Sequence, residues 1–195
     1  MCNLYRLHKS SDAIRQLFAE QGGLTLTFPE GAPNLEPRDV RITDRAPMVR
    51  MQGDAPALVE RRWSWPSGYG SPLYNLKSEG RTFNNNRCLV VADGFYEFTK
   101  PADPKQKRKD RWLFEPSAGG LIGIAGIWRD HPDVGEAFTL LTSEPGEDVK
   151  PLHHRQIVLI PPARWRDWLN PQMKSRELLV PTEPGFLTLS AAPTG

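Results

Sequence analysis

The sequence has few cysteines and no long hydrophobic segment. Its 195 residues contain two cysteines, Cys2 and Cys88, and no CxxC pair, so the usual spacing of a zinc site is absent. No stretch approaches the roughly 18 apolar residues of a transmembrane helix. Residues 1–20 also lack the continuous apolar segment of a signal peptide. With no mark of secretion, a Cys2–Cys88 disulfide is disfavoured, and we expect a reducing, cytoplasmic setting.

A strong excess of one charge is also missing. Lysine and arginine number 25 against 23 aspartate and glutamate residues, which gives a net charge of +2. This excess is too small to indicate nucleic-acid binding by itself, although a local basic patch is compatible with it. With 38% hydrophobic and 25% charged residues, the chain has the composition of a folded protein. We expect one domain over residues 1–195.

Turn-forming residues are abundant, with 19 prolines and 16 glycines, which favours many short strands over a helical bundle. The clearest helix signals lie in a segment that starts at Ser10-Ser11-Asp12 and in one after Pro161-Pro162. Strand patterns are more numerous, at residues 2–7, 48–51, 58–63, 88–98, 111–115, 121–128, 137–142, 157–160, 178–180 and 186–189. The sequence therefore predicts an α+β fold with a curled, mostly antiparallel, barrel-like sheet and a few short helices.

Four segments are interpreted more locally. Residues 24–47 are rich in proline and charge and predict a long surface connection. Residues 71–87, which include Asn75, predict a short helix or an ordered loop. Residues 88–98 predict a strand interrupted by a bulge or a tight hairpin at Asp93-Gly94. Residues 145–152 predict a short helix.

Cys2 has two interpretations. Because Cys2 is small, an aminopeptidase can remove Met1 and leave a cysteine with a free α-amine and a thiol on adjacent carbons. Reference pKa values of about 7.7–8.0 and about 8.5 make both groups partly reactive near neutral pH. Together they trap an aldehyde, first as a Schiff base and then as a thiazolidine ring. Alternatively, Met1 stays and Cys2 is a small buried residue of the first strand.

Three further residues can carry acid–base or polar chemistry. Glu97 lies in an apolar segment, so an inward side chain would have a raised pKa and serve in proton transfer; otherwise it faces solvent on a half-buried strand. His153 and its neighbour His154 directly precede a strand. They are either catalytic histidines, since imidazole transfers protons near pH 7, or a polar pair in a loop. Asn75 can orient a carbonyl or a phosphate, or it is a turn residue. We expect no metal site, because adjacent histidines rarely ligate one ion.

Nucleic-acid contacts are the remaining possibility. The tryptophans Trp63 and Trp65 can stack on unpaired bases, or they belong to the core. Cations that can meet phosphates, or that are simply solvated, are Lys77, Arg155, Arg61 and Arg62. The basic run at residues 105–111 is interpreted as a solvated loop.

Taken in order, these segments resemble the SOS response-associated peptidase (SRAP) family, whose proteins shield abasic sites in single-stranded DNA. The resemblance covers most of the chain. It rests on Met1-Cys2, on YNLKSE at residues 74–79, on CLVVADGFYEF at 88–98, on LLTSE at 140–144 with His153-His154-Arg155, and on the helix around Trp168-Leu169.

The resemblance implies a covalent sensor of abasic sites. Cys2 matches the nucleophile that forms a thiazolidine crosslink with the ring-opened aldehyde after Met1 is removed. Asn75 matches the residue that positions the opened sugar, Glu97 the residue that assists proton transfer at the amine, and His153 the residue that promotes ring opening. Lys77 and Arg155 match phosphate contacts.

The family further implies removal of its own N-terminus and a lyase-like activity, but not general proteolysis. The implied partner is single-stranded DNA with abasic sites. The protein would act as a monomer without cofactor, metal or membrane, and it would associate with the nucleoid when bound to DNA.

Several positions depart from the family's usual residues. The family has Gly-Arg where this chain has Asn3-Leu4, Met-Pro where it has Gln156-Ile157, tryptophan at Phe98 and commonly arginine at Lys77. The nucleophile and proton-transfer positions are intact, so we expect the chemistry to survive and DNA affinity or strand geometry to shift.

Two other functions remain open from the residues alone. One is an N-terminal-nucleophile cysteine amidohydrolase. Such an enzyme needs an oxyanion hole, and the sequence shows no obvious donor motif for one. The other is a non-catalytic binder of single-stranded nucleic acid.

Overall fold

The computed structural model describes residues 2–101, 103 and 105–193. These described residues contain two α-helices, α1 (Ser11–Gly22) and α2 (Trp165–Leu169), with 3₁₀ turns at Pro162–Arg164 and Ser175–Glu177. The strands are β1 (Leu4–Leu7), β2 (Arg38–Arg41), β3 (Arg45–Gln52), β4 (Ala55–Trp63), β5 (Trp65–Pro66), β6 (Pro72–Leu73), β7 (Asn75–Lys77), β8 (Arg87–Ala92), β9 (Gly94–Thr99), β10 (Asp110–Pro116), β11 (Ile122–His131), β12 (Gly135–Ser143), β13 (Gln156–Ile157), β14 (Leu159–Ile160) and β15 (Leu187–Ala192).

Five strands close into a barrel. β12 pairs in parallel with β4, and antiparallel pairs then run from β4 to β3, β8 and β11 and back to β12. Because the ring is closed, each of these strands is paired with a neighbouring strand on both sides. The predicted α+β class with a curled, mostly antiparallel sheet is confirmed.

A second sheet packs beside the barrel, in the order β15-β10-β9-β1-β2. The chain passes from the barrel to this sheet at Asp93, between β8 and β9. Asp93 is buried, and its carboxylate accepts hydrogen bonds from Arg6 Nε (2.8 Å) and the His8 amide (2.7 Å). At Gly94 a Cβ atom would lie 2.9 Å from the Phe114 carbonyl oxygen, so only glycine fits. The segment predicted as a bulged strand or hairpin is thus two strands of different sheets.

Helix α1 follows its sequence signals. The Ser10 side chain accepts a hydrogen bond from the Ala13 amide, and Gly23 ends the helix with φ of 61°. The apolar face of the helix is buried, and the Phe18 ring stacks on Trp165 at 4.2 Å between centroids. None of the helices in the described part of the chain has the length and hydrophobicity needed to span a bilayer.

Several local expectations are wrong because long-range pairing decides them. The segment 24–47 contains β2, which pairs with β1, and the start of β3. The segment 71–87 contains β6 and β7 rather than a helix, since β7 pairs with β12. Residues 145–152 form turns, and 178–180 follow a 3₁₀ turn instead of forming a strand.

Candidate active site

Four predicted residues come together where the two sheets meet. Pairing with β12 positions two of them. β12 pairs with β7, which starts at Asn75, and with β13, which follows the turn that contains His153. The second sheet supplies the others: Cys2 directly precedes β1, and Glu97 lies on the adjacent β9. The cluster therefore depends on strand pairings between segments that are far apart in sequence.

Cys2 is buried, with 1% of its surface exposed. Its Sγ donates a weak hydrogen bond to the Leu4 carbonyl at 3.3 Å. Burial raises the pKa of the thiol far above its ordinary value, and the negative charge of Glu97 raises it further. The thiol thus holds its proton at neutral pH, as the packed-residue interpretation expects, yet it lies beside an acid–base pair.

Asn75 fixes the main chain of Cys2. Its Nδ2 donates a hydrogen bond of 2.7 Å to the Cys2 carbonyl oxygen. Its Oδ1 is buried and has no hydrogen-bond partner within the described chain. An unmatched buried acceptor costs free energy unless a ligand supplies a donor. Asn75 is therefore arranged to orient Cys2 with one end and to receive a hydroxyl or amine with the other.

The Glu97 side chain points inward and is 2% exposed. Burial raises the pKa of its carboxyl to about 7. The sequence left open whether Glu97 faces solvent or the interior, and the structure places it in the interior. A carboxyl with such a pKa can both give and take a proton near neutral pH.

His153 completes the acid–base pair. Its Nε2 lies 3.8 Å from Glu97 Oε2, and its Nδ1 lies 3.0 Å from the Arg155 amide and 2.9 Å from the Arg155 carbonyl oxygen. The ring also stacks on His154 at 4.6 Å. Loss of hydration lowers the pKa of His153, so the imidazole is mainly neutral at pH 7 and able to accept a proton.

Arg155 is more enclosed than a free phosphate contact would be. Its guanidinium forms a two-point ion pair with Glu79, with Nη2 at 2.9 Å from Oε2. Nη2 also donates to Thr142 on β12, to the carbonyl oxygen at 2.9 Å and to the hydroxyl at 3.0 Å. A phosphate would therefore have to replace Glu79 to bind this fork.

The predicted base-stacking tryptophans are not available for that role. Trp63 is fully buried, and its Nε1 donates to the Tyr74 carbonyl oxygen at 3.0 Å. Trp65 is 4% exposed, with the Arg129 guanidinium 5.6 Å above its ring. The prediction that both stack on unpaired bases is wrong, because their large apolar rings complete the packing around β4 and β5.

The predicted cations differ in exposure. Lys77 is exposed on β7, two residues after Asn75. Arg62 is half-buried, and its Nη1 lies 3.5 Å from the Thr43 carbonyl oxygen. Lys77 is therefore the more accessible of these two cations.

Two further residues bear on DNA binding although sequence reasoning did not single them out. Glu79, the acidic end of the YNLKSE segment, holds Arg155. Tyr69 lies in the turn between β5 and β6 and is 99% exposed. The available signal for Tyr69 was its position between Gly68 and Gly70, which leaves an aromatic side chain in a loop without a packing partner.

A cleft of about 510 Å³ opens beside His153, lined by Glu144, Pro145, Lys150, Pro151, Leu152, His153 and His154. Its walls are partly polar and partly apolar and it is open to solvent, so a ligand can approach the histidine. Within the described ranges, no three His, Cys, Asp or Glu side chains converge as a metal site would require.

Comparisons with known proteins show which proteins this chain is similar to. The family model described as SOS response associated peptidase (SRAP) matches residues 1–191. The abasic site processing protein YoaM of Bacillus subtilis (strain 168) is 27% identical over 198 residues, covering 92% of this chain and 83% of that protein. The abasic site processing protein YoqW of the same strain is 32% identical over 194 residues, covering 88% and 81%.

A solved structure shares the fold. A phage-related protein from Bordetella bronchiseptica aligns with a TM-score of 0.75 and 18% identity, covering 99% of this chain and 95% of that chain. At this identity the likeness describes the fold alone.

Proposed function

Because the chain belongs to the SOS response associated peptidase family, we propose that it processes abasic sites in DNA and does so by covalent capture. The target is the aldehyde of a ring-opened abasic site in single-stranded DNA. The nucleophile is Cys2, after hydrolysis of the Met1–Cys2 peptide bond has freed its α-amine. The naming of YoaM and YoqW as abasic site processing proteins supports the substrate.

The proposed reaction joins one aldehyde, one amine and one thiol and releases one water. The Cys2 amine attacks the aldehyde carbon, and the resulting carbinolamine loses water to form an imine. Cys2 Sγ then attacks the imine carbon, and the imine nitrogen gains the proton that the thiol loses. A five-membered thiazolidine results, and no metal or organic cofactor takes part.

The observation that carries this proposal is the contact between Asn75 and Cys2. The 2.7 Å hydrogen bond to the Cys2 carbonyl holds the residue whose amine must react, next to the buried Glu97–His153 pair. We assign Glu97 to proton transfer at the amine and His153 to opening of the sugar ring. The unmatched Oδ1 of Asn75 is assigned to a hydroxyl of the opened sugar.

The test is the intact mass of the purified protein, before and after incubation with a single-stranded oligonucleotide that carries one abasic site. The starting mass reports whether Met1 has been removed. We expect a denaturation-resistant adduct whose mass is the sum of protein and DNA less one water. An oligonucleotide whose abasic aldehyde has been reduced to an alcohol is the matched control and should give none.

Adduct formation, DNA affinity and amide cleavage together separate the rival functions. A trimmed protein that forms no adduct contradicts covalent capture. Equal affinity for intact and abasic strands would then favour the non-catalytic binder. Release of a product from an amide substrate would favour the amidohydrolase.

Under this proposal a DNA phosphate replaces Glu79 as the partner of Arg155, which leads to a prediction about Glu79. The ion pair with Arg155 lowers the pKa of Glu79, so the carboxylate is charged at neutral pH and competes with a DNA phosphate for the same fork. Replacing Glu79 with glutamine should lower the Kd for single-stranded DNA by up to about fivefold, because one exposed charge interaction contributes about 0.2–1 kcal/mol. Fluorescence anisotropy with an oligonucleotide carrying a reduced abasic site measures this.

The matched control for Glu79→Gln is Glu20→Gln. Glu20 is exposed on α1, where it accepts a hydrogen bond from Gln16, so the substitution changes net charge equally but away from Arg155. If both variants bind DNA equally, net charge rather than competition at Arg155 is responsible. Weaker binding by Glu79→Gln alone would mean that Glu79 supports the DNA site.

Tyr69 replaces the buried tryptophans as the proposed base-stacking residue. It is fully exposed in the turn that leads through β6 to Asn75 and Lys77. Stacking on one base contributes about 1–3 kcal/mol, so Tyr69→Ala should raise the Kd for single-stranded DNA roughly five- to a hundredfold. Tyr69→Trp should retain the affinity, and an alanine variant that binds like the unaltered protein would rule the contact out.

A further inference from the structure

The loop between β9 and β10, residues 100–109, concentrates positive charge. It contains Lys100, Lys105, Lys107, Arg108 and Lys109 against one carboxylate, Asp103, and so carries a net charge of +4. Because the whole chain has a net charge of +2, the other residues together carry −2. The positive potential of this protein is therefore strongly localised at one loop, which we term the basic loop.

The basic loop is anchored beside the acid–base pair. β9 and β10 are antiparallel, with Glu97 opposite Trp112 and Thr99 opposite Asp110. Glu97 is thus two residues from the end of β9, or about 7 Å at the rise of a strand, and the loop starts just beyond it. Loss of hydration is the largest cause of the lowered pKa of His153, and the positive charge of Lys109 is a small further cause.

The lysines of the basic loop are exposed. Lys105, Lys107 and Lys109 form no ion pair within the part of the chain that the structure describes. Cations elsewhere behave differently: Arg50 and Arg61 share Glu136, and Arg111 pairs with Asp39. Clustered like charges repel one another, and an anionic partner relieves this repulsion.

We propose that the basic loop binds the phosphodiester backbone of the DNA strand that flanks the abasic site. This inference rests on the proposed function and adds a second contact surface to it. The side chains of Lys105, Lys107 and Lys109 are all exposed on this loop, so they can contact phosphates of one strand. Lysine presents a point charge without a rigid fork, so this contact is independent of DNA sequence and holds the strand while Cys2 reacts.

The inference is tested with the double variant Lys105→Gln/Lys107→Gln. Lys109 stays unchanged because its charge reaches His153. The Kd for a single-stranded oligonucleotide with a reduced abasic site is measured from low to high salt. Each lost phosphate contact should flatten the plot of log affinity against log salt by about 0.7, so we expect a decrease near 1.4 and five- to twentyfold weaker binding at low salt.

Arg15→Gln/Lys174→Gln is the matched control. Both residues are exposed, on α1 and before the second 3₁₀ turn, and their replacement removes the same charge. If the control flattens the salt dependence as much as the loop variant, or the loop variant leaves it unchanged, the inference is overturned. Removing flanking nucleotides on one side of the abasic site should abolish the difference between loop variant and unaltered protein.

Failure of the loop inference is distinct from failure of covalent capture. If capture is correct, the loop variant still reaches full adduct yield at saturating DNA. If no protein forms an adduct but the loop variant alone loses salt dependence, the basic loop binds DNA and the proposed chemistry fails.

Discussion

Replacing Cys2 with alanine should abolish the denaturation-resistant adduct with abasic DNA, a loss of at least about a thousandfold in yield or rate. The thiol closes the thiazolidine ring, and an imine without that closure hydrolyses when the protein is denatured. Non-covalent binding should change less than threefold, because the side chain is buried and contacts only the chain itself. Intact mass after denaturation, together with anisotropy on a reduced abasic oligonucleotide, measures both properties.

The chain provides its own matched control in Cys88, the other cysteine. Cys88 is fully buried in the barrel, and burial likewise raises the pKa of its thiol. Cys88→Ala should therefore still form the adduct. Cys2→Ser retains the amine, so borohydride should trap its imine although no stable adduct survives without reduction. If Cys2→Ala formed an adduct of unchanged stability, the nucleophile would have to be a residue other than Cys2.

Glu97→Gln should slow adduct formation by about 10²–10³-fold at pH 7.5, within the range of a positioned general acid–base group. The buried carboxyl has its pKa raised to about 7, so it gains negative charge as pH rises through neutrality and accepts the proton of the α-ammonium group. The rate of the unaltered protein should therefore rise through an inflection near pH 7. The variant should lack the inflection near pH 7 and keep only the one from the α-amine at about pH 7.7–8.0, as single-turnover rates from pH 5.5 to 8.5 would show.

Glu115→Gln serves as the control for loss of a nearby carboxylate. Glu115 lies on β10 in the same sheet and pairs with Arg6, so its replacement should preserve the inflection. If Glu97→Gln keeps both the rate and the inflection, Glu97 has no role in proton transfer at the amine.

The same pKa predicts a stability signature at Glu97. Its folded pKa is above the unfolded value of about 4.3, so its favourable contribution is complete below that value and lost as pH rises through about 7. Glu97→Gln cannot ionise and escapes this loss. Urea unfolding should show the variant closest to the unaltered protein at pH 5 and relatively more stable at pH 8.

Much of the local structure was determined by the sequence itself. The cap at Ser10 and the stop at Gly23 delimit α1, and Gly53-Asp54, a pair typical of turns, joins β3 to β4. These features depend on contacts a few residues apart, so a local pattern contains the necessary information. The residues Cys2, Asn75, Glu97 and His153 were likewise selected from the sequence, although their roles in the reaction remain proposals.

Only the tertiary structure decided which of these side chains meet and which are exposed. Trp63 and Trp65 are buried although their sequence context suits a base contact equally well, and Tyr69, with no strong pattern, is exposed. Arg155 meets Glu79, a residue 76 positions away. Such outcomes depend on barrel closure and on the pairing of β12 with β7 and β13, which bring distant segments into contact. Burial, pKa and ion pairing at this site are properties of those long-range contacts, and a local sequence pattern does not contain them.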